Sequence, residues 1–236
     1  MVETMPAAKP VIILTRPAAQ NAGFAAALRA CDLDVVIFES PVTRIVPLPD
    51  APRDHKASDA IFTSRYGVEH GPSGRGIAWC VGDKTAEVAL AKGWEAQSAG
   101  GDAEALFKRI CADLEENAEG RSLVHYCGQE TRGELSARLT NVGISTQRCI
   151  VYRQEEQVLT PEVLQAISDT IKAIFPIFSP RSATRLAAQL PPDAAFDFVA
   201  ISQAAADALP PEMIRRLEIA DTPDAQSLIA ALRHML

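Results

Sequence analysis

The chain states nearly the same pattern twice, and the order of the copies places one half inside the other. VIILTRP at 11–17 precedes a helical spacing (Phe24, Leu28, Cys31) and an apolar strand ending at Phe38. LVHYCG at 123–128 precedes Leu135, Leu139, Val142 and a second strand ending at Tyr152. A further matched pair surrounds these. IFTSRYGVE at 61–69, WCVGDKTAEVAL at 79–90 and GGDAEALFKRI at 100–110 follow the same order of signals as IFPIFSPRSATRL at 174–186, FVAISQAAADAL at 198–209 and TPDAQSLIAAL at 222–232. Similarity in a fixed order marks a duplicated architecture, and so long a period implies two lobes instead of a solenoid. The first lobe takes residues 1–34 and 155–236, and the second takes 43–147. The two passes at 35–42 and 148–154 make a two-stranded connector, with a cleft expected between the lobes.

The 236 residues suffice for two lobes that each bury a core. The hydrophobic fraction of 47% beside 22% charged residues is that of an ordinary soluble protein. No apolar run approaches the roughly 20 residues that span a bilayer. The opening MVETMPAAKP lacks the basic and apolar parts of a signal peptide, so the expected location is cytoplasmic and no membrane partner is expected. Five widely spaced cysteines without a CxxC indicate reduced, buried thiols and no zinc site. A net charge of −7 argues against nucleic acid as a partner, yet local arginines and helix N-termini still suit small acids.

Apolar runs at 11–14, 60–62, 123–126, 174–178 and 198–201 show little alternation. Such runs between helical patterns predict parallel strands buried on both faces, hence α/β lobes with central parallel sheets. Helical stripes are read at Leu106, Ile110 and Leu114, at Leu164, Ile167, Ile171 and Ile174, and at Leu228, Leu232 and Leu236. Pro41, Pro47, Pro49 and Pro52 punctuate the entry into the second lobe, and GPSGRG at 71–76 reads as a loop. Neither GxGxxG nor GxxxxGK[ST] occurs, so the common nucleotide fingerprints are missing.

Ligands of open α/β sheets bind beyond the carboxyl ends of the strands. The loops there carry Thr15 and Arg16; Thr63, Ser64 and Arg65; Gly82, Asp83, Lys84 and Thr85; Gly128, Thr131 and Arg132; Ser179, Arg181 and Ser182; and Ser202. Hydroxyls, arginines and backbone donors at helix starts suit carboxylates or phosphates. Taken singly, a hydroxyl such as Thr15, Ser64, Thr85 or Ser179 is most often just an N-cap, and a lone loop arginine is usually a solvated charge. His55, His70, His125 and His234 are scattered without triad or metal spacing, and His125, inside a strand, reads as a core residue. Tyr152 stands at the return crossover, where a phenol could enter the cleft or serve the structure alone.

In combination, ILTRP at 13–17, FTSRYGV at 62–68, CVGDKTAEVALAKGW at 80–94, YCGQETRGEL at 126–135, IVYR at 150–153, FSPRSA at 178–183 and TPDAQSLIAAL near the end resemble the uroporphyrinogen-III synthase family. The resemblance covers nearly the whole chain. It implies a monomeric lyase that closes the linear tetrapyrrole hydroxymethylbilane to uroporphyrinogen III with inversion of the terminal ring. No metal or organic cofactor is implied, and transient contact with the preceding pathway enzyme is an open expectation. The implied route loses the terminal hydroxyl to give an azafulvene, then closes through a spiro intermediate. Tyr152 matches the tyrosine thought to assist departure of that hydroxyl.

The acetate and propionate arms of the substrate match the loop residues named above as binding groups. Where many members have a glycine and paired threonines, this chain has Ile201, Ser202, Gln203, Ala204 and Ala205, which leaves backbone N–H groups and Ser202 for binding there. Arg153 and Gln154 replace part of the usual pattern after the tyrosine. A non-catalytic, two-lobed tetrapyrrole or small-anion sensor is the alternative on the same frame.

Overall fold

The structure, a computed structural model, describes residues 9–51, 59–74, 76–114, 121–131, 133–169 and 172–236. The sequence candidates Arg132, His55, Pro52 and Ile171 lie outside these residues, as does Arg75 of the GPSGRG loop. The chain opens with β1 (Val11–Leu14), α1 (Ala18–Arg29), β2 (Val36–Glu39) and β3 (Thr43–Pro47). It continues through β4 (Asp59–Phe62), α2 (Arg65–His70), β5 (Ile77–Cys80), α3 (Asp83–Ala91), β6 (Glu95–Ser98) and α4 (Ala103–Leu114). Then come β7 (Leu123–Gly128), α5 (Leu135–Asn141) and the long β8 (Thr146–Glu156). The last stretch holds α6 (Pro161–Asp169), β9 (Ala173–Ile177), α7 (Pro180–Ala187), β10 (Phe196–Ala200), α8 (Gln203–Ala206), β11 (Ile214–Ile219) and α9 (Ala225–Met235).

Two compact units result, Met1–Arg44 with Glu155–Leu236 and, inserted between them in sequence, Ile45–Gln154. The divisions fall inside β3 and β8. The segment 35–42, read from the sequence as connector, contains β2, which pairs along its whole length with β1. The segment 148–154 lies within β8, whose register runs from Leu123↔Thr146 to Gly128↔Tyr152.

Among the described residues the first sheet has the order β11-β10-β9-β1-β2 and the second β3-β8-β7-β4-β5-β6. Replacing β9, β10, β11, β1 and β2 by β4, β5, β6, β7 and β8 converts the first order into the second, with β3 added at an edge. The duplication legible in the sequence is therefore a duplication of topology. Pairings within the first sheet, and from β8 to β6 in the second, are parallel.

Both faces of each sheet are covered, which is why the central strands read as unbroken apolar runs. Val11 and Ile13 join one core with Phe175, Phe198 and Leu186, while Ile12 and Leu14 join another with Phe24, Leu28 and Leu228. In the second unit Ala60 and Phe62 face Val124, Tyr126 and Trp94, whereas Ile61 faces Trp79, Leu106 and Ile110. The stripe of Leu106, Ile110 and Leu114 is buried as expected. The stripe in α6 is not the expected one: Val163 and Ile167 are buried, Leu164 is 42% exposed, and Ile174 belongs to β9. Val163 and Leu164 both keep helical spacing to Ile167, so spacing alone selects the wrong face. In α9 Leu228 and Leu232 are buried, and Leu236, past the last turn, is partly exposed.

The short helix α2 depends on groups outside itself, since six residues cannot sustain a helix in water. At its start Ser64 accepts from the N–H groups of Tyr66 and Gly67. At its end Lys92 Nζ donates at 2.9 Å to each of the carbonyls of Val68, Glu69 and Gly71. Gly67 lets the helix approach β7, because a Cβ there would lie 2.4 Å from the Tyr126 carbonyl oxygen. Lys92→Met, which removes all three donors, is expected to lower stability by about 1–3 kcal/mol. Both tryptophans, Trp79 and Trp94, lie in this unit, so urea unfolding followed by tryptophan fluorescence reads it selectively. An unchanged midpoint and slope would remove Lys92 from the account.

Candidate functional site

In the second unit, the carboxyl ends of β4 and β7 and the middle of β8 bring Thr63, Ser64, Gly128 and Tyr152 together. β8 carries an irregularity opposite Cys127 and Gly128, so that Cys127 faces Ile150 but Gly128 faces Tyr152. Strict alternation would turn Tyr152 away from the side of Val151. Instead Cys149, Val151 and Tyr152 all join one core cluster, the re-aiming a bulge produces. The Tyr152 ring is 6% exposed, with its centroid 5.8 Å from that of Tyr66 and 6.1 Å from that of His70. Gly128 leaves space for it: a Cβ at that position would stand 2.7 Å from Tyr152 Cζ. Tyr152 Oη is 3.0 Å from Ser64 Oγ. Burial raises the phenol's pKa, against the lowering effect of the Ser64 hydrogen bond, so Tyr152 is protonated at neutral pH.

A polar chain lies beside this pair. Thr63 Oγ1 is 3.0 Å from His125 Nε2, and His125 Nδ1 is 3.0 Å from Ser136 Oγ in α5. Burial pushes His125 down to about 4, helped by the positive charge of Arg148, so the imidazole is neutral and presents one donor and one acceptor. His125 is thus the satisfied core residue expected, and it fixes the side chain preceding Ser64. Arg148 Nη2 donates to the carbonyls of Gly128 and Gln129, holding the loop that follows β7.

The remaining candidates of this unit are spread along the strand ends. Arg65 pairs with Glu69 at 3.2 Å and lies over the Tyr66 ring. Gly82 caps α3 with an extended backbone, and a Cβ there would meet nothing within 4 Å. Lys84 is exposed, whereas Thr85 is buried at 6%. The buried thiols Cys80 and Cys127 have raised pKa values, Cys80 to about 12, in both cases chiefly through burial.

The first unit assembles a different set. Thr15 is buried at 1% exposure. Asn21, fully buried, accepts from Arg16 N at 3.0 Å and donates to the Leu14 carbonyl at 2.9 Å, locking the turn between β1 and α1. Arg16 Nε donates to Gln20 Oε1, and its guanidinium lies 4.1 Å over the Phe178 ring. Ser179 and Ser182 form a capping box at α7, and the neighbouring Arg181 is exposed. Ser202 caps α8 by accepting from Ala205 N. Of the four hydroxyls weighed as N-caps, Ser64 and Ser179 are caps, whereas Pro17 and not Thr15 precedes α1 and Gly82 and not Thr85 precedes α3; of the capping residues Ser64, Ser179 and Ser202, Ser64 alone also touches Tyr152. Sequence reasoning misses Asn21, Ser136, Lys92 and Arg148. Asn21 carries a signal, a polar residue on the apolar stripe of Phe24 and Leu28. Among the described residues no group of three or more His, Cys, Asp and Glu could hold a metal ion, and no helix is long and apolar enough to cross a membrane.

The profile of the family described as Uroporphyrinogen-III synthase HemD matches residues 22–230. The chain belongs to the uroporphyrinogen-III synthase family. The same fold occurs in the crystal structure of uroporphyrinogen-III synthetase from Helicobacter pylori 26695, with a TM-score of 0.68 and 14% identity over 97% of this chain and 100% of that one. A mutant uroporphyrinogen III synthase from the extremely thermophilic bacterium Thermus thermophilus matches with a TM-score of 0.52 and 13% identity over 97% of this chain and 98% of that one. Comparison with curated protein sequences gives no match.

Two outcomes follow for this family member. His125 has a folded-state pKa near 4 against an ordinary 6.5, so the unfolded chain binds its proton more readily. The second unit should therefore be at full strength above pH 6.5 and weaken as pH falls to about 4, by about 3 kcal/mol at 1.36 kcal/mol per pKa unit. Urea unfolding across that range should show this dependence flattened in His125→Gln; an identical slope in both proteins would exclude His125 as its source. Gly128→Ala forces the Tyr152 ring out of its place, at a cost of about 1–3 kcal/mol. Wild-type stability together with wild-type turnover in that variant would refute the packing argument.

Proposed function

We propose that this chain closes hydroxymethylbilane to uroporphyrinogen III with inversion of the terminal ring and release of one water, and that Tyr152 assists departure of the hydroxyl. Membership of the uroporphyrinogen-III synthase family over residues 22–230 carries the reading of the reaction. It also favours catalysis over the non-catalytic sensor considered on the sequence. The burial of a protonated phenol at the strand ends supports the role of Tyr152.

The chemistry asks for a donor at a poor leaving group. A phenol whose pKa is raised stays protonated and can donate to the departing oxygen, which leaves as water. Closure then follows the azafulvene and spiro route that the family resemblance implies. Left alone, the linear bilane closes to the unrearranged isomer, so the protein's task is to hold one conformation. Effective-molarity arguments put such positioning at up to roughly 7–11 kcal/mol, more than any single acid or base supplies. The cationic side chains of Arg16, Arg65, Lys84 and Arg181 are our candidates for the substrate carboxylates, with backbone N–H groups beside Gly82 and Ser202. The same reading makes the protein a monomeric, cytoplasmic hydro-lyase that works without metal or organic cofactor. It includes transient contact with the enzyme that supplies the unstable bilane.

The test is an assay with freshly prepared hydroxymethylbilane in which isomers I and III are separated. Isomer III is expected, at a rate unchanged by dialysis against a strong chelator. Tyr152→Phe keeps the ring and removes the donor, and should lower kcat roughly tenfold to a hundredfold with the fold intact. A protein that binds the bilane yet releases only isomer I would be a binding module.

A further inference from the structure

Ser64 Oγ has more partners than a cap requires. It accepts from Tyr66 N at 3.1 Å, shares the Gly67 N–H at 3.4 Å with the Ser64 carbonyl oxygen that takes it at 3.0 Å, and lies 3.0 Å from Tyr152 Oη. A serine hydroxyl has one hydrogen and two lone pairs. If Tyr152 donated to Ser64, its O–H would compete with the Tyr66 N–H and the shared Gly67 N–H for two lone pairs, and among the described residues the serine hydrogen would have no acceptor. If Ser64 donates to Tyr152, its lone pairs take the Tyr66 N–H and a share of the Gly67 N–H, and the serine hydrogen is used as well. The second arrangement leaves the phenol's own hydrogen uncommitted, and among the described residues Ser64 Oγ is the one hydrogen-bond partner of Tyr152 Oη.

We propose that Ser64 is a positioning residue that sets the direction of this hydrogen bond: its hydroxyl donates to Tyr152 Oη and so reserves the phenol's hydrogen for the leaving hydroxyl of the substrate. Three features hold the geometry. The two α2 N–H groups orient the serine lone pairs, the absent Cβ of Gly128 admits the ring, and the contact between Thr63 and His125 anchors the residue before Ser64. Ser64 thereby acts through Tyr152 and not on the substrate, in contrast to the binding role expected from its loop position. The inference rests on the reading of Tyr152 as the donor.

A double-mutant cycle tests it. Ser64→Ala should lower kcat roughly tenfold with KM little changed, while Ser64→Thr, which keeps a hydroxyl, should retain most of the rate. In the Tyr152→Phe background Ser64→Ala should cost no further rate, although loss of the cap should lower stability equally in both backgrounds. With the tyrosines labelled at Cζ, NMR titration of the Tyr152 phenol, identified by its absence from Tyr152→Phe, should move to higher pH in Ser64→Ala. An additive rate loss in the double variant, or an unmoved Tyr152 titration, overturns the inference while leaving Tyr152 as donor. Wild-type turnover in Tyr152→Phe alone overturns the reading of Tyr152 and this inference with it.

Discussion

Everything functional in this protein is governed by sheets buried on both faces. A parallel strand flanked by helices above and below offers its side chains to packing, and each central strand here is buried along its length. Chemistry is left to the strand ends, where the chain leaves the sheet and a helix begins. Those positions must also satisfy the unpaired N–H groups of each helix start. Two demands fall on the same few residues, and the structure shows how they are divided.

Most of the hydroxyls serve the helices. Ser179 is committed to a reciprocal box with Ser182, and Ser202 to Ala205 N. Carboxylates do the same at other starts: Asp102 accepts from Glu104 N and Ala105 N, and Asp224 from Gln226 N and Ser227 N. Both carboxyls sit below the ordinary range, Asp102 through its backbone donors and Asp224 first through the Thr222 hydroxyl. The positions of Asp102 and Asp224 in matched segments show that both copies meet the same physical need for a cap. Against that background Ser64 stands apart, because besides capping α2 its hydroxyl lies 3.0 Å from Tyr152 Oη.

The strands and the nesting of the units were legible in the sequence because burial on both faces imprints an unbroken apolar run, and because the copies repeat in order. The α6 face was not legible, since Val163 and Leu164 both keep step with Ile167 and only the position of the sheet decides between them. Ser64 and Ser179 were legible as N-caps, but not which of them meets Tyr152. The Ser64 contact with Tyr152 joins residues 88 apart, and no local pattern records it. The space for the ring depends on a glycine whose neighbour in the pairing is set by an irregularity in β8.

The two copies also show where duplication stopped being symmetric. The turns after β4 and β9 correspond residue by residue, Thr63 with Phe178 and Ser64 with Ser179, each leading into a helix. In the second unit the residue before the capping serine is polar and bonded to a buried, neutral histidine. In the first it is Phe178, packed edge-on against Phe24 at 4.9 Å and covered by the Arg16 guanidinium. One copy has therefore spent its turn on a directed hydroxyl pair and the other on aromatic and cationic packing.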